Sequence, residues 1–165
     1  MNGLFIILLA GATLFTALVA GLLFTFALIV MPGIRKLDDR VYVQAFQEMD
    51  KIIQRNHPLF VLVWGGSVLL LLLSALLGFW VFDGLDRLLL FASAVVYIFG
   101  VQLPTGAVNV PLNNALQKVD TIIADEESLI VARREFEPRW NRWNLRRTAV
   151  AVAVTAALLL VLVRI

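Results

Sequence analysis

The sequence predicts an all-α fold: a bundle of four transmembrane helices with amphipathic helical extensions on the inner side of the membrane. Two observations on composition and one on patterning carry this. Hydrophobic residues make up 61% of the 165 and charged residues only 16%, a balance far from that of soluble domains. The charges fall almost entirely into two blocks. Between and beside those blocks run apolar stretches long enough to cross about 30 Å of hydrocarbon.

The gaps between charges define the spans within a single domain, residues 1–165. Residues 1–34 carry no charged side chain; the run lacks a basic start and exceeds the ~7–15 residues of a signal-peptide core, so it reads as a retained helix over about residues 4–30. Residues 58–82 are uncharged and form the second span, and a third covers about residues 88–108. The fourth lies at about 146–164, where the uncharged run is shortest, roughly 24 Å at 1.5 Å per residue. Arginines at both ends of it can snorkel to the interfaces.

Basic residues set the expected orientation. Arg35, Lys36, Arg40, Lys51 and Arg55 fall in the loop at residues 32–57, and Lys118 with six arginines falls at 111–147, against Arg87 alone between the second and third spans. Both basic loops are therefore expected inside and both termini outside, in the cytoplasmic membrane of a bacterium. Within the first loop, Tyr42, Phe46, Met49 and Ile53 recur at helical spacing while Gln44, Gln47, Glu48 and Lys51 fall elsewhere, the pattern of an amphipathic helix. A weaker pattern, Leu112, Leu116, Val119, Ile122 and Ile123, continues the third span toward the acidic turn at Asp125. Stripes of small residues promise close helix packing: Thr13, Ala17, Gly21 and Thr25 on the first span, Gly66, Ser74 and Gly78 on the second, Ala149, Ala153 and Ala157 on the fourth.

Two polar constellations interrupt this pattern. At 100° per residue, Gln102, Thr105, Asn109 and Asn113 share one face of the third span. Pro104 removes the N–H that would bond the Gly100 carbonyl and Pro111 the one for Ala107, which predicts a kink or break. The asparagines either cap that kink and bind neighbouring helices or address a ligand. The second constellation is EPRWNRWNLRRT, residues 137–148. Read as a helix opened by Pro138, it places Trp140, Trp143, Asn144 and Arg147 on one face, with Arg142 and Arg146 elsewhere. It serves either as an interfacial belt or as one wall of a recess for a flat, oxygenated ring.

His57 is the only histidine and there is no cysteine. In Asn56-His57-Pro58 it opens the second span, with Asn56 as the expected cap, and it is either a solvated helix-start residue or a general base. No metal site is expected: thiolates are absent, and Glu126, Glu127, Glu135 and Glu137 lack the Glu-x-x-His pairs of di-iron bundles. With a net charge of only +2, nucleic acid is not an expected partner.

Three segments, FTFALIVMPGI (24–34), NVPLNNAL (109–116) and RWNRWNLRRT (139–148), in this order and spacing resemble the anthrone oxygenase-like membrane family. That resemblance implies a four-helix membrane protein acting on a hydrophobic aromatic substrate, an anthrone or quinol-like molecule, with molecular oxygen as co-substrate and no cofactor. Such chemistry needs an apolar slot, a base and donors for an oxyanion. On this reading His57 is the candidate base, Asn109, Asn144 and Arg147 complete the catalytic set, and Gln102, Thr105, Asn113, Trp140 and Trp143 bind substrate. The alternative is a non-catalytic membrane protein that binds a quinone, a lipid or a protein partner, as a monomer or a homo-oligomer, because the spans are poor in the usual catalytic groups.

Overall fold

A computed structural model describes residues 3–165. Four helices are long and apolar enough to cross a membrane: α1 Gly3–Ile34, α3 Pro58–Val81, α4 Gly84–Gln117 and α5 Glu126–Val163. The fifth, α2 Asp39–Gln54, is amphipathic. The chain is thus an all-helical, multi-pass membrane protein. α1 packs between α3 and α5, and α4 closes the ring against α3 and α5.

Each helix carries its chemical reason. α2 starts at Asp38, whose carboxylate accepts the Val41 N–H at 2.9 Å, and ends in Asn56, which takes a left-handed φ of 54°, a conformation asparagine tolerates better than most side chains. Asn56 therefore terminates α2 instead of capping α3, as its position before His57 had suggested. α5 likewise does not open at Pro138. It begins at the Asp125 cap, which accepts the Ser128 N–H at 2.8 Å, and runs 38 residues with Pro138 inside it. At 1.5 Å per residue this is about 57 Å, nearly twice the hydrocarbon thickness. Its first part consequently stands clear of the bundle beside α2.

Pro104 and Pro111 do not break α4. The residues before them, Leu103 and Val110, donate to Ile98 and Thr105, five residues back, forming π-helical turns at Ile98–Gln102 and Thr105–Asn109. Met31, before Pro32, does the same to Phe26 across Phe26–Val30. A proline ring collides with the carbonyl four residues earlier. A turn widened by one residue moves that carbonyl aside, so the helix continues. α4 ends at Gln117 because Gln47 Nε2 donates to the Leu116 and Val119 carbonyls at 2.8 and 2.9 Å, while Arg40 donates to those of Thr121 and Ala124. The expected helical continuation through Ile122 and Ile123 is absent, and both are exposed at the turn.

Two of the three small-residue stripes face inward only in part, with Thr13 buried and Ala17 and Ala157 half-buried. Gly66 and Gly78 do lie against neighbours, Phe15 and Leu90, and Ser74 is buried. On α1, however, Gly21 and Thr25 face outward, and on α5 so do Ala149 and Ala153. Those helices pack through Leu9, Ala12, Thr16, Val19 and Leu23, and through Ala151, Val154, Leu158 and Val161. The result is two apolar clusters. One fills the membrane bundle; the other, built from Met31, Tyr42, Val43, Phe46, Leu116, Leu129, Phe136 and Trp140, joins α2 to α1, α4 and α5.

Candidate functional site

A cavity of about 180 Å³ lies where the two clusters meet. One water needs roughly 10–15 Å³ on this measure, so the space suits an organic ligand. Its walls are apolar: Leu22, Leu23 and Phe26 of α1, Phe46 and Ile53 of α2, Phe60 and Trp64 of α3, and Trp140 of α5. Trp140 is the centre of an aromatic group, with Phe46 edge-on at 5.4 Å and Phe26 tilted at 5.8 Å. The polar lining consists of Asp50, Thr105, Asn109, Asn113, Asn144 and Arg147. The π-helical turns help to assemble it, since Phe26, Thr105 and Asn109 belong to them; such turns are frequent at functional sites.

Among the described residues, Asp50 is the one acidic residue of the lining. Asp50 is 3% exposed, and its carboxylate accepts from three side-chain amides: Asn113 at 2.7 Å, Gln54 at 2.6 Å and Gln117 at 3.0 Å. Asn113 in turn accepts from Trp140 Nε1 at 2.8 Å, so the ring wall and the carboxylate are held by one amide. Arg147 is the lining's one basic residue among those described. Arg147 is also 3% exposed, donating to Thr105 Oγ1 at 2.8 Å and to Asn144 Oδ1 at 3.0 Å, and Asn144 donates to the Leu23 carbonyl at 3.0 Å. Neither Asp50 nor Arg147 makes an ion pair among the described residues. Burying a charge without its opposite costs several kcal/mol even after relaxation, and amide and hydroxyl partners offset only part of this.

Two polar atoms here lack a partner, Asn109 Oδ1 and Arg147 Nε. Such atoms cost about 1–3 kcal/mol each when buried. Both belong to residues that line the cavity. Asn109 spends its amino group on the Trp140 carbonyl at 3.3 Å, which leaves the oxygen free.

The residues singled out from sequence thus divide. Thr105, Asn109, Asn113, Trp140, Asn144 and Arg147 converge on the cavity. Gln102 stands behind the wall, accepting from Trp64 Nε1 at 2.9 Å. Trp143 turns away from the cavity lining and carries the Arg146 guanidinium 4.9 Å above its ring, because a residue one position before Asn144 is rotated about 100° from it. His57 is exposed and outside the lining, placed at the start of α3 with its side chain making no cap bond. Asp50 escaped the sequence reading, although its spacing of four from Phe46 puts a carboxylate on the buried face of α2. Gln47, assigned there to the polar face, is buried as well.

The family model for anthrone oxygenase matches residues 49–158, two thirds of the chain. The chain belongs to the anthrone oxygenase family. The matched region holds every polar residue of the cavity, from Asp50 to Arg147, while the α1 wall and Phe46 lie outside it. No curated protein and no solved structure matches the chain.

Proposed function

We propose that this anthrone oxygenase family member oxidises a hydroxylated, flat aromatic substrate of the anthrone or quinol type with molecular oxygen and without a cofactor. The observation that carries this reading is the pairing, in one apolar cavity, of a buried carboxylate and a buried guanidinium that each lack a counter-ion.

Asp50 takes the base role that the sequence reading gave to His57. It removes a proton from the acidic methylene between two aryl rings, and the charge delocalises onto the ring oxygen. Arg147, oriented by Thr105 and Asn144, stabilises that oxyanion, an interaction stronger in the transition state than in the ground state. Asn109 Oδ1 accepts from a phenolic hydroxyl, and Trp140, Phe46 and Phe26 hold the ring plane. The carbanion passes one electron to oxygen, the resulting radical pair joins as a carbon-bound peroxide, and the peroxide oxygen is protonated by Asp50. Loss of the second methylene hydrogen with O–O cleavage releases water and leaves a carbonyl. One oxygen atom ends in the product and the other in water.

The test is oxygen uptake and quinone absorbance with purified protein in lipid nanodiscs and a hydroxylated anthrone. Asp50→Asn and Arg147→Gln are each expected to lower kcat/KM by about 10²-fold or more, the scale of general-base and oxyanion contributions. His57→Ala should stay within twofold of wild type. Undiminished oxidation by Asp50→Asn rejects the assignment. Tight aromatic binding with no turnover in wild type would instead favour the non-catalytic binding reading.

A further inference from the structure

On the outer flank of the α1–α5 contact, sharing no residue with the cavity, a groove of about 360 Å³ is lined by Ala27, Pro32, Arg35, Lys36, Asn141 and Leu145. Its ends differ in chemistry. Arg35 and Lys36 stand where α1 leaves the apolar run, while Ala27 and Leu145 lead back along the span, flanked by exposed Leu28. We propose that this groove binds one anionic glycerophospholipid, with the phosphate between Arg35 and Lys36 and an acyl chain along Ala27 and Leu145.

Three features of the groove point to this ligand. Lys36 is exposed and enters no ion pair among the described residues. Arg35 has a side chain 75% exposed and only a 3.5 Å contact to Glu137, whose closer partner is Arg133 at 2.8 Å; its guanidinium is therefore available to a phosphate. Asn141 lines the groove and holds a buried Oδ1 with no partner, a polar group unmet within the protein. A basic recess between membrane helices, opening downward onto an apolar track, matches a charged headgroup with a hydrocarbon tail. Free anions would use the cations and leave the track empty.

The experiment measures lipid retention by the full chain, purified in mild detergent, by native mass spectrometry with phosphatidylglycerol and phosphatidylcholine of identical acyl chains. Each basic residue near an anionic headgroup contributes about 1 kcal/mol, so wild type is expected to prefer phosphatidylglycerol by about thirtyfold. Arg35→Gln/Lys36→Gln should bring that preference to within about threefold. Lys36→Gln alone, which removes no contact within the protein, should lower it about fivefold. Arg139→Gln/Arg146→Gln removes two cations from the opposite side of α5 and should leave the preference intact. Equal retention of both lipids by wild type overturns the proposal. So does an equal loss of preference in the two double variants, which would mean a diffuse basic surface with no site.

Discussion

Asp50 and Tyr42 lie two turns apart on the buried face of α2, yet their polar atoms are treated differently. Asp50 receives three amide donors, whereas the Tyr42 hydroxyl has none, and the Arg133 guanidinium sits 4.2 Å over its ring. Burial first, then the Glu137 carboxylate, push the Tyr42 hydroxyl above the ordinary tyrosine range, with Arg133 opposing in part. The neutral phenol is therefore favoured more in the folded chain than in the unfolded one. That contribution is complete below the unfolded value of about pH 10 and is lost as the pH rises beyond it. Tyr42→Phe should keep the stacked guanidinium, hold or raise the melting temperature at pH 8, and remove this alkaline loss; thermal unfolding at pH 8 and pH 11 checks it. Residue-level legibility followed depth. Thr105, Asn109, Asn113, Asn144 and Arg147 were readable because a polar side chain on one face of a lipid-embedded helix needs a protected partner. Asp50 was not, because it lies in a charged loop where a carboxylate looks solvated, and two of its amide partners come from α4, more than sixty residues away.

Helix boundaries and faces depended on how the prolines are accommodated. The four spans were legible from charge-free length alone, since no other arrangement shields so much apolar backbone. The π-helical turns were not, because a proline signals only a missing donor and a clash, and the chain resolves both by widening a turn instead of ending the helix. Each such turn adds one residue and rotates everything after it by about 100° relative to a regular helix, which changes which side chains face inward. Small-residue stripes misled in part on α1 and α5, where Gly21, Thr25, Ala149 and Ala153 face outward while Ala12, Thr16 and Ala151 are buried. Gly100, in the π turn before Pro104, marks a close approach: a Cβ there would stand 2.7 Å from Val150 Cγ1, and valine has little rotamer freedom to yield. Gly100→Ala should therefore cost about 1–3 kcal/mol. Gly21→Ala, with nothing within 4 Å of its Cβ, should be neutral or slightly stabilising in the same helical bundle. Parallel unfolding curves in detergent distinguish them.

At the scale of the whole molecule, the membrane bundle and the cluster around α2 are built from different residues and meet around the cavity. Leu23 belongs to the first, Phe46 and Trp140 to the second. On the proposed reading, an apolar substrate seated at this junction meets Asp50 and Arg147 with its polar edge. The central claim is that Asp50 draws a proton from carbon before oxygen takes part. Anaerobic hydrogen–deuterium exchange at the anthrone methylene, followed by NMR in deuterated buffer with the protein in nanodiscs, isolates that step from oxidation. Wild type should accelerate exchange well above the protein-free rate, and Asp50→Asn should return it to that rate while still binding an anthraquinone product. Exchange accelerated equally by Asp50→Asn, or oxidation by wild type with no accelerated exchange, would contradict the account.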